Sequence, residues 1–78
     1  MNNSHNLKTW PVYWNAIGRG DKTFEVRKND RDFQAGDTVY LEFHDPDAPV
    51  PYQTQCIMKL ISYVLHGGQF GIEQGYVV

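Results

Sequence analysis

Three charged residues of types that bind or transform polar ligands lie close together in the chain: Lys22, Glu25 and Arg27. Their segment, residues 20–31 (the charged segment), alternates in the manner of a β-strand, in which residues two apart share a face. We therefore expect Glu25 and Arg27 to share a polar face beside Lys22, while Phe24 and Val26 point into a core. The pattern predicts either a polar-ligand site or an exposed structural ion pair, which would contribute less than about 1 kcal/mol.

Each of the three side chains has a distinct chemistry as part of a site. The guanidinium of Arg27 binds a phosphate, a carboxylate or a base edge through paired hydrogen bonds. Lys22 supplies a point charge or, if desolvated beside another cation, a nucleophilic or basic amine. Glu25 accepts protons or hydrogen bonds from exocyclic amino groups.

Positive charge is concentrated in the same part of the chain. Residues 1–31 contain six basic and three acidic residues, whereas residues 32–78 contain one basic and six acidic residues, within a net charge of −2. This net charge argues against indiscriminate binding to nucleic acids, which normally depends on a positive surface. The asymmetry indicates either a binding region or a merely solvated surface, and the sequence leaves both interpretations open.

The chain is predicted to form a single domain over residues 1–78, with 41% hydrophobic and 14% aromatic residues available for a core. Its one cysteine, Cys56, cannot form an internal disulfide or a multi-thiolate metal site, which favours a reducing compartment. The histidines lack paired ligand spacing, and no apolar run approaches the roughly 20 residues of a membrane span. We therefore expect a cytoplasmic protein with no membrane contact, no metal and no cofactor.

A short helix is predicted to begin near Pro11, which suits a first helical turn, with the Thr9 hydroxyl capping its free amides. Gly18 and Gly20 supply the left-handed conformations that end a helix. Four apolar residues at helical spacing form a stripe that is expected to face the core: Trp10, Tyr13, Trp14 and Ile17. Trp10 lies nearest the charged segment and is the one that we expect outside the core.

A strand with clear alternation follows the charged segment. Phe33 is expected to lie beneath a turn-rich loop. Val39, Leu41 and Phe43 are predicted to face the core from this strand, while the residues between them face outward. Residues 45–51 contain three prolines and are predicted to be an exposed connection.

The last part of the chain predicts further strands. Residues 53–65 are β-rich, with both faces partly covered or with a bulge. Residues 66–71 form a glycine-rich turn that lacks the lysine and hydroxyl residues of a P-loop, and residues 76–78 form a final short strand. One early helix and about five strands predict an α+β fold with a small curved sheet or barrel.

The charged segment also carries a motif that resembles a known family. Gly20-x-Lys22-x-x-Glu25-x-Arg27 matches the G-x-K-x-x-E-x-R signature of ASCH domains, a branch of the PUA-like β-barrels. The surrounding segments resemble a small bacterial and phage subfamily of unknown function within that group, over nearly the whole chain. They are His5-x-Leu7-Lys8-Thr9-Trp10-Pro11, residues 22–37 and Phe70-Gly71-Ile72-Glu73-x-Gly75-Tyr76-Val77-Val78. The resemblance implies a barrel with a cleft between the early helix and the motif strand, and a link to RNA or nucleotides.

The residue types and this resemblance together predict a cleft that binds RNA or a nucleotide-like ligand. In such a cleft, cations would contact phosphate, an aromatic ring would stack on a base, and Glu25 would accept hydrogen bonds from a base edge. The predicted site residues are Lys8, Trp10, Lys22, Glu25, Arg27, Arg31 and Tyr76.

Two other functions remain open. The first is a small hydrolase, either an amidohydrolase acting on a modified nucleoside or a ribonuclease, with Lys22 and Glu25 as the proton-handling pair. One small ASCH-fold enzyme type deacylates N4-acetylcytidine with a lysine, a threonine three residues later and a distant glutamate; here Lys22 matches the lysine, Glu25 replaces the threonine, and Glu73 is the candidate for the glutamate. The second is a phage or bacterial interaction protein that contacts a host protein through the cleft rim and residues 45–51.

Overall fold

A computed structural model describes residues 3–47 and 55–78 of the chain. Within these residues, one helix and five strands follow in the order β1 (Ser4–Thr9), α1 (Pro11–Arg19), β2 (Arg27–Lys28), β3 (Thr38–Phe43), β4 (Cys56–Leu60) and β5 (Tyr76–Val77). β3 pairs in parallel with β1 and antiparallel with β4, while β2 and β5 form a separate antiparallel pair. The predicted α+β architecture of about five strands and one short helix is confirmed. No helix in this part of the chain is long and apolar enough to cross a bilayer.

The ends of α1 follow from the local sequence. Pro11 occupies the first turn, where a backbone N–H would have no partner within the helix. Gly20 ends the helix in a left-handed conformation with a φ of +84°, as predicted. The same prediction for Gly18 is wrong, because Gly18 lies within α1 and has no positive φ. The predicted cap at Thr9 is wrong. Trp10 is the capping residue and makes no side-chain capping bond, and the buried Thr9 hydroxyl donates to the Leu7 carbonyl at 3.3 Å instead.

The apolar stripe of α1 is divided between core and surface. Ile17 is buried, and Trp14 packs against the core, where its indole N–H donates to the Leu41 carbonyl at 2.8 Å. Trp10 and Tyr13, at the start of the helix, are 57% and 48% exposed. The expected exposure of Trp10 is confirmed. The expected burial of Tyr13 is wrong, because the helix packs on the sheet through Trp14 and Ile17.

The core is formed by residues of α1, of both sheets and of the loop before β3. Its buried members are Leu7, Ile17, Phe33, Val39, Leu41 and Val77. The inward alternation of Val39 and Leu41 is confirmed, and so is the burial of Phe33 beneath its loop.

A buried hydrogen-bond cluster ties the start of β1 to the turn before β3. The Nε2 atom of His5 lies 3.0 Å from Oδ2 of Asp37, and the same carboxylate accepts hydrogen bonds from the backbone N–H groups of Asn3 and Gln34. The hydrogen bond with His5, aided by these two amides, lowers the pKa of Asp37 even though burial acts in the opposite direction. Folding therefore stabilises the ionised form of this carboxyl group.

The charged segment does not form the predicted long strand. Only Arg27–Lys28 belongs to β2, and residues 22–26 have no regular secondary structure. Phe24 and Val26 are 55% and 54% exposed, so their predicted burial is wrong. The alternation persists with the two faces exchanged, because Glu25 and Arg27 find ion-pair and backbone partners on the inner side.

β4 ends earlier than the β-rich pattern predicts. It covers Cys56–Leu60, and residues 61–65 lie outside any strand. Its pairing with β3 runs without interruption, and Met58 and Leu60 are largely exposed, so neither the predicted covering of both faces nor a bulge is found here. Residues 48–51 of the predicted exposed connection, and residues 53 and 54 of the predicted β-rich run, lie outside the described residues.

Candidate functional site

A polar hollow of about 520 Å³ lies between the start of α1 and the segment that leads into β2. Its lining comes from the end of β1, from α1 and from the charged segment: Lys8, Thr9, Trp10, Tyr13, Lys22, Glu25, Val26 and Arg27. Gly20 makes this arrangement possible because it turns the chain back along the helix. The N–H groups of Asp21 and Lys22 then both donate to the Ala16 carbonyl, which fixes the start of the charged segment beside α1.

Lys22, Glu25 and Arg27 form a charged triad in the wall of the polar hollow. The Nζ atom of Lys22 lies 2.5 Å from Oε1 of Glu25, and Nε of Arg27 lies 3.0 Å from Oε2. The side chains of Lys22, Glu25 and Arg27 are 18%, 22% and 28% exposed, so they are sheltered but still reach solvent. Each carboxylate oxygen accepts a hydrogen bond from a cation, and the triad retains one net positive charge.

The guanidinium of Arg27 connects the charged segment to β1. Its Nη2 atom donates to the Lys8 carbonyl at 2.8 Å and, at 3.4 Å, to the Thr9 hydroxyl. Within residues 3–47 and 55–78, no group accepts a hydrogen bond from Nη1. A guanidinium held at two nitrogens presents the third in a fixed direction, which suits recognition of an anion.

Aromatic rings flank the ammonium group of Lys22. Its Nζ atom lies 5.4 Å from the centroid of the Tyr13 ring and 5.1 Å from that of Phe24, within cation–π range. Trp10 and Tyr13 also line the polar hollow and keep about half of their surface exposed. The polar hollow thus combines cations with rings on which a flat group can stack.

Five of the seven predicted site residues line the polar hollow, namely Lys8, Trp10, Lys22, Glu25 and Arg27. The other two lie elsewhere. Arg31 donates from Nη1 to the Asn6 carbonyl, and its Nε lies 3.9 Å from the Asp30 carboxylate. Tyr76 belongs to β5 and pairs with Lys28 of β2.

Sequence reasoning missed Thr9 and Tyr13 as parts of this site and placed Val26, the remaining lining residue, in the core. The alternation of β1, which buries Leu7 and Thr9 and exposes Lys8, is the signal that would have placed the Thr9 hydroxyl inside. The position of Tyr13 one turn after Trp10, the residue expected to be exposed, is the signal that would have placed it beside the charged segment.

The charge of the polar hollow suits an anionic ligand. Lys8, Lys22 and Arg27 line the polar hollow together with one carboxylate, that of Glu25, so the lining has a net positive charge. A net positive cleft raises the local concentration of anions. Across the described ranges, no three His, Cys, Asp or Glu side chains converge in a way that could hold a metal ion.

A comparison with known protein families matches residues 4–78 to the family described as Domain of unknown function (DUF3850). The matched residues include every element of the described fold and the whole polar hollow. A comparison with curated proteins gives no match.

Proposed function

We propose that this chain, which belongs to the DUF3850 family, binds RNA or a nucleotide-like ligand in the polar hollow. The proposal depends on one observation: three cations and two exposed aromatic rings line the same hollow, together with one carboxylate. Cations neutralise phosphate groups, and bases stack on aromatic rings. Both requirements of a nucleotide are met in one place.

The residues that line the polar hollow have different roles in binding. Arg27 and Lys22, held by Glu25, contact a phosphate, and the exposed Lys8 adds a further cation at the rim. Trp10 stacks on a base. A carboxylate has about four acceptor positions and the triad uses two of those on Glu25, so Glu25 still accepts a hydrogen bond from an exocyclic amino group.

Single-stranded RNA suits this hollow better than a duplex. Trp10 and Tyr13 stack only on bases whose faces are accessible, and such bases occur in loops, bulges and single strands. The net charge of −2 disfavours binding of phosphate backbones by the surface as a whole. Affinity therefore has to come from the polar hollow itself.

Hydrolysis of a modified nucleoside is the second candidate, because the amine of Lys22 and the carboxylate of Glu25 are in direct contact. A pair in contact can pass a proton during bond cleavage. One observation favours binding over hydrolysis: Glu73 is not among the residues that line the polar hollow.

The proposal extends to the fold, which we take to be a PUA-like barrel of the ASCH type, and to a cytoplasmic location. Residues of both sheets meet in one core, where Leu41 of β3 and Val77 of β5 are buried together. A bridge between His66 and Val77 continues the pairing of the smaller sheet. The free, exposed thiol of Cys56 is typical of a reducing compartment.

Fluorescence anisotropy with a labelled, short single-stranded RNA tests the binding proposal. The wild type is expected to bind, and both Arg27→Ala and Trp10→Ala are expected to bind more weakly. Loss of stacking on one base weakens binding about fivefold or more. The matched controls, Arg19→Ala and Phe70→Ala, change exposed residues that do not line the polar hollow and are expected to bind like the wild type.

Thermal melting of every variant separates a loss of binding from a loss of folding. Equal affinities of Trp10→Ala and its control Phe70→Ala would contradict the proposal.

Incubation of the wild type and Lys22→Ala with an acylated cytidine nucleoside tests the second candidate. Release of the acyl group by the wild type but not by Lys22→Ala would favour hydrolysis over binding alone.

A further inference from the structure

A second, apolar cavity of about 540 Å³ lies next to the polar hollow. Buried core side chains from both sheets and from α1 contribute to it, among them Leu7, Ile17, Leu41 and Val77. A cavity of this size has the dimensions of a site for a small molecule.

The rim of the apolar cavity consists of large apolar side chains that are open to solvent. Phe24, Leu60 and Tyr63 all contribute to the lining and are each more than half exposed. A ligand that covers such apolar surface removes it from water, which contributes favourably to the free energy of binding. A bound molecule would contact the exposed ring of Phe24 and remove it from water.

The charged triad lies in the wall that the apolar cavity shares with the polar hollow. Lys22, Glu25 and Arg27 line both spaces. The triad has one net positive charge, and Nη1 of Arg27 has no acceptor among the described residues. A single anionic group therefore completes both the charge balance and the hydrogen bonding at this wall.

We infer that the apolar cavity binds a small amphiphilic carboxylate, with its apolar body in the cavity and its carboxylate at Lys22 and Arg27. A ligand pocket typically has a mostly apolar lining and a few polar groups that fix the orientation of the ligand. Here the apolar walls provide affinity, and the triad selects an anion over a neutral or cationic head group. This site goes beyond the proposed binding of RNA and does not depend on it.

Calorimetric titration with a series of straight-chain carboxylates, from butanoate to decanoate, tests the apolar part of the inference. Each added methylene group is expected to raise affinity about fourfold until the cavity is full. Octanol, which has no charge, is expected to bind about tenfold more weakly than octanoate, because it lacks a charge-assisted hydrogen bond. Octylamine, with the charge reversed, is expected not to bind. Equal binding of octanoate and octylamine would overturn the inference.

Two pairs of variants locate the site. Lys22→Gln is expected to weaken octanoate binding, because it removes one of the two cations that contact the carboxylate, whereas Lys28→Gln, at an exposed position outside both spaces, leaves the affinity unchanged. Ser62→Trp adds bulk in the lining of the apolar cavity and is expected to block binding, whereas Ser4→Trp adds the same bulk on β1 outside it. Unchanged octanoate binding by a folded Ser62→Trp variant would contradict the assignment.

A measurement on the wild type keeps the inference testable if a variant fails to fold. Intermolecular nuclear Overhauser effects are expected between the terminal methyl group of octanoate and the methyl groups of Leu41 and Val77, which line the apolar cavity. Effects to other methyl groups alone, or none at saturation, would overturn the inference. Octanoate is also expected to compete with RNA, because both contact the triad. If octanoate binds and RNA does not, the result would support this inference and refute only the proposed function.

Discussion

Replacement of Lys8 by glutamine isolates the electrostatic part of the proposed RNA binding. Lys8 is exposed and lines the polar hollow, and no ion pair to its side chain is found within the described residues. The group that holds Arg27 is the backbone carbonyl of Lys8, which Lys8→Gln leaves in place. The substitution therefore removes one charge without dismantling the triad, and the melting temperature is expected to stay at the wild-type value.

The magnitude follows from the charges that line the polar hollow. Three cations against the carboxylate of Glu25 leave two net positive charges. Each neutralised phosphate of a single strand contributes about 0.7 to the slope of log affinity against log salt, so the wild-type slope is about −1.4 and that of Lys8→Gln about −0.7. Between about 50 and 200 mM salt, the affinity for RNA is expected to fall about sevenfold for the wild type and about 2.6-fold for Lys8→Gln.

Anisotropy titrations at four salt concentrations measure these slopes. Lys28→Gln is the matched control, because Lys28 is exposed on β2 and does not line the polar hollow. Its slope is expected to equal that of the wild type. An unchanged slope for Lys8→Gln would show that Lys8 contacts no phosphate. An equal decrease for both variants would show that the phosphates are bound by the surface in general. Either result would contradict binding of phosphate in the polar hollow through Lys8.

Three further predictions concern stability. Hydrogen bonds from His5 and two backbone amides lower the pKa of Asp37, so this carboxylate stabilises the fold above the ordinary carboxyl range and the stabilisation is lost as pH falls through the lowered pKa. Asp37→Asn is therefore expected to reduce the free energy of unfolding at about pH 7 and to make that free energy less dependent on pH below about 4. Urea titration at several pH values measures both effects. Gly67→Ala is expected to destabilise the fold by about 1–3 kcal/mol in the same assay, since a Cβ there would overlap the Glu73 carbonyl oxygen and lie 2.8 Å from that of Tyr76; an unchanged midpoint would contradict the packing. Gly18→Ala, inside α1 with only an ordinary contact to Ile57, is expected to raise stability by about 0.5–1 kcal/mol, and a loss of stability would show that the site tolerates no side chain.

The parts of the fold that depend on local chemistry could be predicted from the sequence. Pro11 and Gly20 limit α1 because one fits the first turn and the other adopts a positive φ. The period-two pattern of β3 identifies Val39 and Leu41 as core residues because its inner face is packed. These signals lie within a few residues of the feature that they determine.

The parts that depend on distant partners could not be predicted. Alternation in the charged segment defines two faces but does not determine which face points inward. The inward face is determined by the β1 groups that accept hydrogen bonds from Arg27. The sequence predicted that Lys22, Glu25 and Arg27 lie close together, because they are neighbours in the chain. It did not predict that Arg31 lies outside the polar hollow, because its partner Asn6 is 25 residues away in sequence. The parallel pairing of β1 with β3 is likewise a long-range choice.

The triad and its neighbouring rings are proposed to form a single binding site. An NMR titration of the isotopically labelled wild type with short single-stranded RNA tests this most directly, because each backbone amide reports on its own surroundings. We expect the largest shift changes at residues that line the polar hollow, namely Lys8, Trp10, Tyr13, Lys22 and Arg27, and also at the indole N–H of Trp10. Saturable shifts confined to residues outside the polar hollow, or no shifts at all, would contradict it.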